Sequence, residues 1–382
     1  MLGSPDNGVP VLRTREARRR QLVVPMVVGA LVSVLVLALA WNRGRESQVL
    51  GAGSTLAAPL VTSSANAYRS AFSADNPQRP DQTGGDWVLD GSGIGYEPVG
   101  SLGGVMRLAD PEVDFAISDY PVSAKTLDEH GLGQFPVAIG SLALVHRVEV
   151  EGKQLRLDAP LVARIFRGEV TRWNDPAVAK LNPGLALPDQ QIVPVHRGDG
   201  SGSTRAFSAW LSSGDATWKS EVGTGPQLEW PGGVGRAVEK SEGVVEAVRE
   251  VPGAIGYVEP GQAREAGLSM AQLRNGAGGF VAPDRAGMAA ALQGMSWDGE
   301  GQFTGLAPRA DAKGAYPITV PVMAVLKREP QQEADARRAL GYLRWLVDDY
   351  DAEARQMGFL PLPADGAAQV HEHIARTFTY AR

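Results

Sequence analysis

From residue 112 onward the hydrophobic period of this chain switches repeatedly, and it switches at glycines and prolines. EVDFAIS (112–118), SLALVHRV (141–148), QIVPVH (191–196), AIGYVE (254–259) and PITVPVMAVL (317–326) are short, rich in β-branched residues, and read as strands. APLVARIFRGE (159–169), STRAFSAWLSS (203–213), EGVVEAVREV (242–251) and ADARRALGYLRWLVDDY (334–350) repeat apolar residues three and four positions apart, and read as helices. Strands that alternate with helices point to an α/β architecture. Open sheets of that kind place ligands beyond the carboxyl ends of their strands. The strand-to-helix loops are therefore where function should be sought.

Three loops share one design: GAGSTLAAPL from Gly51, VGSLGGVMRLA from Val99 and GDGSGSTRAF from Gly198. Each is glycine-rich, carries Ser or Thr, and runs into a helical pattern. The first turn of a helix has backbone N–H groups without intrahelical partners, and its dipole favours negative charge. Glycines let backbone approach a ligand closely, and hydroxyls add donors. One such loop is commonly just a capped turn. Three together would let three helix N-termini converge on one small oxyanion.

Neighbouring charges sharpen that expectation. Arg197 opens the third loop and can fork onto an oxyanion, although an arginine alone is more often a surface ion pair. Asp119 follows EVDFAIS, where strand ends meet sites; its simplest alternative role is a helix cap. A carboxylate inside an anion pocket has one clear use, which is to accept a proton the anion still carries. Phosphate keeps such a proton at neutral pH and sulfate does not, so the carboxylate would penalise sulfate.

Composition narrows the field further. The chain has 382 residues, a formal net charge of −6, five histidines and no cysteine. A mildly acidic chain is a poor nucleic-acid binder. The absence of cysteine excludes disulfides, thiolate metal sites and a Cys nucleophile. The histidines show no metal-ligand spacing, and no cofactor is expected. Neither GDGSG nor GSGIG puts serine at the centre of a nucleophile elbow, and G-x-x-x-x-G-K-[ST] is absent. His196 adjoins Arg197 in a strand, so the two side chains should face opposite ways, which makes His196 a poor base for Ser201 or Ser203. A phosphomonoester hydrolase would need a nucleophile with its base, or a metal cluster, and neither is present.

At the N-terminus, RTREARRR (13–20) is followed by an uncharged apolar run from Gln21 to Trp41. That run is long enough to span a bilayer, and its basic flank predicts a cytoplasmic N-terminus. The expected layout is a basic cytoplasmic tail (1–20) and a transmembrane signal anchor (21–41), with everything after it exported. Ala38-Leu39-Ala40 also fits a small-x-small cleavage site, and cleavage at Ala40 would leave a soluble periplasmic protein.

GAGSTLAAP, VGSLGGV…VDFAISDYPVS, QFPVAIG, LNPGLALP, RGDGSGST, VGTG, PGAIGYVE and YPIT occur in this order across nearly the whole exported part. That order closely resembles the phosphate-binding protein of bacterial phosphate ABC importers. The resemblance implies a type II periplasmic-binding-protein fold with two lobes that close over phosphate. Lobe I is expected over 46–136 plus 317–382 and lobe II over 137–316, with crossovers near Pro136 and Pro317. It also implies the ligand set. Ser54, Thr55 and the N–H of Leu56 would come from the first loop, and Ser101, preferred to Ser92, from the second. Asp119 would be the proton-accepting carboxylate. Arg197, supported by Asp199, and Ser201, Gly202 and Ser203 would complete the third.

Departures from the family pattern are modest. Leu56 stands where Phe is common, Ser203 where Thr is frequent, and GGDWVLDGSGIG (84–95) looks inserted beside the second loop. The implied partners are inorganic phosphate, the permease subunits of an ABC importer and a phosphate-sensing system. The competing functions are a tethered phosphate sensor or scavenger, and a receptor for another oxyanion such as sulfate or molybdate.

Overall fold

The computed structural model describes residues 49–72, 93–150, 154–297 and 300–381. The basic tail, the apolar run at 21–41 and Ser92 lie outside the described residues. Among the described residues no helix is long and apolar enough to cross a membrane.

The architecture is mixed α/β with two lobes, each built on a five-stranded sheet. The first sheet contains β1 (Val49–Gly53), β2 (Ile94–Pro98), β3 (Phe115–Ser118), β4 (Leu132–Ser141) and β13 (Thr319–Lys327), in the order β2-β1-β3-β13-β4. The second contains β5 (Ala143–His146), β7 (Val193–Arg197), β8 (Arg236–Val238), β9 (Ala254–Val258) and β10 (Ser269–Met270), in the order β10-β5-β9-β7-β8. A small third sheet joins β6 (Arg156–Leu157), β11 (Gln272–Arg274) and β12 (Phe280–Val281). β1 is parallel to both β2 and β3, and β7 is parallel to both β8 and β9. The chain leaves the first sheet after Ser141 and re-enters it at Thr319. A hydrogen bond from the Leu142 N–H to the Ile318 carbonyl, 2.9 Å, ties the two passages together.

Pro136, which the sequence suggested as a crossover, lies inside β4. Proline cannot donate to a ladder, so a strand holding one belongs at an edge or beside a bulge. Both conditions hold here. β4 ends the sheet, and its pairing with β13 passes from Val322–Ala138 to Met323–Pro136, leaving Val137 as the extra residue of a bulge.

The core explains why the site-bearing helices stay in place. Behind the helix Gly202–Gly214, Phe207 is fully buried and stacks on Tyr257, centroids 4.5 Å apart. Phe166 packs edge-on at 4.9 Å and Trp218 at 6.5 Å. Burying one such ring contributes about 1.5–3 kcal/mol. In the first lobe, Leu56, Leu60 and Val61 sink into the core with Phe115 and Ile117 of β3. These apolar anchors on either side of each loop leave its polar face free to form the cleft.

Candidate functional site

All three glycine–hydroxyl loops sit at the carboxyl ends of parallel strands. Ser54 and Thr55 follow β1, Ser101 follows β2, Asp119 follows β3, and Arg197 ends β7 with Ser201 to Ser203 behind it. Ser101 is the first residue of the helix Ser101–Ala109, and Gly202 the first of Gly202–Gly214. Ser54, Thr55, Leu56, Ser101, Asp119, Arg197, Ser201, Gly202 and Ser203 are all buried.

The two lobes meet across these loops. A Cβ on Gly100 would lie 2.2 Å from the Gly200 carbonyl oxygen, and Gly100 itself has φ +84°. A Cβ on Gly202 would lie 2.4 Å from Ser101 Oγ and 2.7 Å from Asp119 Cβ. Glycine is therefore needed at both positions for the lobes to come this close.

Asp119 is the centre of the arrangement. It is 2% exposed, and burial pushes its carboxyl up to about 6 from 3.8. The hydroxyl of Ser54, the charge of Arg197 and the hydroxyls of Ser101 and Ser203 oppose that rise. Ser54 Oγ donates to the Asp119 carboxylate and accepts from the Ala57 N–H at 2.9 Å, so its single hydrogen is committed to the aspartate. The Asp119 N–H donates to Ser101 Oγ at 3.2 Å.

Arg197 is aimed from the second lobe. Its Nε and Nη2 grip both carboxylate oxygens of Asp199, and its Nη1 donates to Thr55 Oγ1 at 2.9 Å. Burial opposes ionisation of Asp199, yet the guanidinium and the Lys240 N–H together hold its carboxyl below the usual value. This clamp fixes the guanidinium plane before any ligand arrives, which lowers the ordering cost of binding. Ser201 caps its helix by accepting from the Thr204 N–H at 3.3 Å, and its hydroxyl hydrogen remains free to donate. Leu56 is fully buried, and its carbonyl and that of Thr55 accept from Gln262 Nε2 at 3.3 and 3.0 Å.

His196 turns away, as strand alternation predicts. It stacks on Trp230 with centroids 4.2 Å apart, and desolvation lowers its pKa. Four contributors escaped the sequence reading. Ser241, second residue of the helix Lys240–Glu250, has Oγ 2.9 Å from Thr55 Oγ1. Tyr257 Oη accepts from the Arg197 N–H at 3.1 Å and pairs with Thr204 Oγ1 at 2.8 Å. Gln262 bridges the lobes as described. Arg205 lies over the Tyr120 ring, 4.8 Å from its centroid, and joins the second lobe to the residue after Asp119. Only Ser241 carried a local signal: it sits where β8 passes into a helix, but no glycine marks the loop.

Donors from several directions, one rigid cation and one buried carboxylate make a site for a small, partly protonated oxyanion. Among the described residues no cluster of His, Asp and Glu could hold a metal ion.

Comparison with known proteins shows the family of the chain. Residues 41–350 match the family model described as a PBP superfamily domain. The phosphate-binding protein PstS of Xylella fastidiosa (strain Temecula1) is 35% identical over 338 residues, covering 88% of this chain and 87% of that protein. Its counterpart in Pasteurella multocida (strain Pm70) is 33% identical over 276 residues, covering 72% and 80% respectively. The solved phosphate-binding protein from Stenotrophomonas maltophilia superposes with a TM-score of 0.62 at 18% identity, covering 85% of this chain and 93% of that one, and shares the fold. The chain belongs to the PBP superfamily and, within it, to the PstS family of phosphate-binding proteins.

Proposed function

We propose that this protein is a non-catalytic receptor that binds inorganic phosphate between its lobes and delivers it to the permease subunits of an ABC importer. The observation that carries this reading is Asp119: a single buried carboxylate set among donors that would otherwise suit any oxyanion. Ionised, it accepts the proton that phosphate retains. Facing sulfate, it would leave two negative charges in contact without a hydrogen between them, a penalty large enough to discriminate.

Thr55, the Leu56 N–H, Ser101, Arg197, Ser201, the Gly202 N–H and Ser203 are the proposed donors. Asp199 holds Arg197, and Ser54 orients Asp119. Lobe I is taken as 46–136 with 317–382 and lobe II as 137–316. Sheet membership supports this division except at 137–141, which are the end of β4 in the first sheet, so the first passage between lobes follows Ser141. Residues 21–41 are read as a membrane anchor that keeps the receptor on the outer side of the cytoplasmic membrane. A tether raises the effective concentration at a membrane partner, whether that partner is the permease or a phosphate-sensing protein.

Thermal unfolding of the full-length protein, stripped of ligand and then titrated with phosphate, tests the binding claim. Saturation at about 100 times Kd should stabilise the fold by about 2.7 kcal/mol, visible as a melting temperature that climbs with concentration. A melting temperature indifferent to millimolar phosphate would refute the reading.

A further inference from the structure

Thr55 has one hydroxyl hydrogen and, in the closed structure, two neighbours for its oxygen. Arg197 Nη1 lies 2.9 Å from Thr55 Oγ1 and can only donate. Ser241 Oγ lies 2.9 Å away on the other contact, where either atom can be the donor. If Thr55 donated to Ser241, no hydrogen would remain for an anion. If Ser241 donates, both lone pairs of the Thr55 oxygen are filled and its hydrogen is forced outward. We infer that Ser241 is a positioning residue which, on lobe closure, fixes the Thr55 hydroxyl as a donor to the bound anion.

The placement of Ser241 supports that role. It is 3% exposed and Thr55 2%, so water does not compete for either hydroxyl. Ser241 is held by the same clamp that holds the guanidinium, because the preceding Lys240 N–H donates to Asp199 Oδ1 at 3.1 Å. Asp199 thus aims both donors that act on Thr55. Both come from the second lobe, whereas Thr55 follows β1 of the first. Thr55 therefore gains its enforced polarity only when the lobes are together. An open cleft would meet phosphate with a freely rotating hydroxyl, and closure would convert it into a committed donor.

This inference rests on the phosphate reading of the site, and one experiment separates the two. Stopped-flow binding of phosphate is measured on the full-length protein, on Ser241→Ala and Ser241→Thr, and on both serine states in a Thr55→Val background. Loss of one net hydrogen bond predicts phosphate release about 3- to 10-fold faster in Ser241→Ala. The association rate should be unchanged, since the contact forms after encounter. Ser241→Thr, which keeps the hydroxyl, should release within about 2-fold of the parent. In the Thr55→Val background Ser241→Ala should have no further effect. Should Ser241→Ala fail to fold, Ser241→Cys, with its weak donor, replaces it in the same series.

Unchanged release in Ser241→Ala with tight binding by the parent would overturn this inference and leave the phosphate reading standing. So would an equal loss in the Thr55→Val background, which would mark a packing role. No phosphate binding by the parent protein would bring down both.

Discussion

Replacing Asp119 with asparagine should remove a pH-dependent destabilisation of the ligand-free protein, and the structure sets the size of the effect. Burial raises this carboxyl from 3.8 to about 6 on folding. Between those values the folded chain holds a proton that the unfolded chain releases, so stability falls as pH rises through the window and stays lower above it. A rise from 3.8 to about 6 corresponds to about 3 kcal/mol. Asp119 is almost fully buried with the lobes together, so that figure is the upper bound for the ligand-free protein, whose lobes can part. Asp119→Asn does not titrate. Its stability relative to the parent should therefore improve by up to about 2 kcal/mol between pH 4 and pH 7, on top of whatever constant offset the amide brings. Glu259, raised by burial to about 7, and His146, lowered by burial to about 4, also make stability pH-dependent, but they are common to both proteins and cancel in the difference.

The assay is urea unfolding of the two full-length proteins, followed by tryptophan fluorescence in phosphate-free buffers across that pH range. A difference that does not change with pH would refute the reasoning. A difference that grows towards acid pH would show that Arg197 and the three serines outweigh burial, which would put the aspartate's folded pKa below its unfolded one.

Two further outcomes follow from the contacts between lobes. Gly202→Ala places a methyl within 2.4 Å of Ser101 Oγ and 2.7 Å of Asp119 Cβ, so the lobes cannot close fully. Calorimetric titration should show phosphate affinity reduced roughly 5- to 150-fold, the cost of forcing an extra carbon into a packed contact, with melting of the ligand-free protein little changed. Arg205→Gln removes the cation held 4.8 Å above the Tyr120 ring. A partly exposed pair of this kind contributes about 0.5–1 kcal/mol, so stopped-flow phosphate release should be about 2- to 5-fold faster, while Tyr120→Phe, which keeps the ring, should behave as the parent.

Much of the fold was legible where hydrophobic runs were short and cleanly bounded. β5, β7, β9 and the helix Lys240–Glu250 fall within a few residues of the stretches that suggested them. β4 was not legible as a ten-residue strand, because LGQFPVAIGS contains a proline and two glycines, which argue for a break. An edge position and a bulge accommodate them, and neither is visible without the partner strand. The loops stood out because glycine and hydroxyl residues are adjacent in sequence. Ser241, Tyr257, Gln262 and the Tyr120–Arg205 pair did not, because each acts on a residue that is distant in sequence and is met only after folding. Ser54 was readable as a loop hydroxyl, but its commitment to Asp119 was not.

The most direct test of the central claim is a paired calorimetric titration at pH 7.5 with phosphate and then sulfate, on the parent protein and on Asp119→Asn. The parent should bind phosphate and give no heat with sulfate. In Asp119→Asn, whose amide can donate to a fully deprotonated anion, the gap between the two anions should narrow by at least about 10-fold, the scale of one unpaired buried group. Equal binding of both anions by the parent, or discrimination that survives intact in Asp119→Asn, would contradict it.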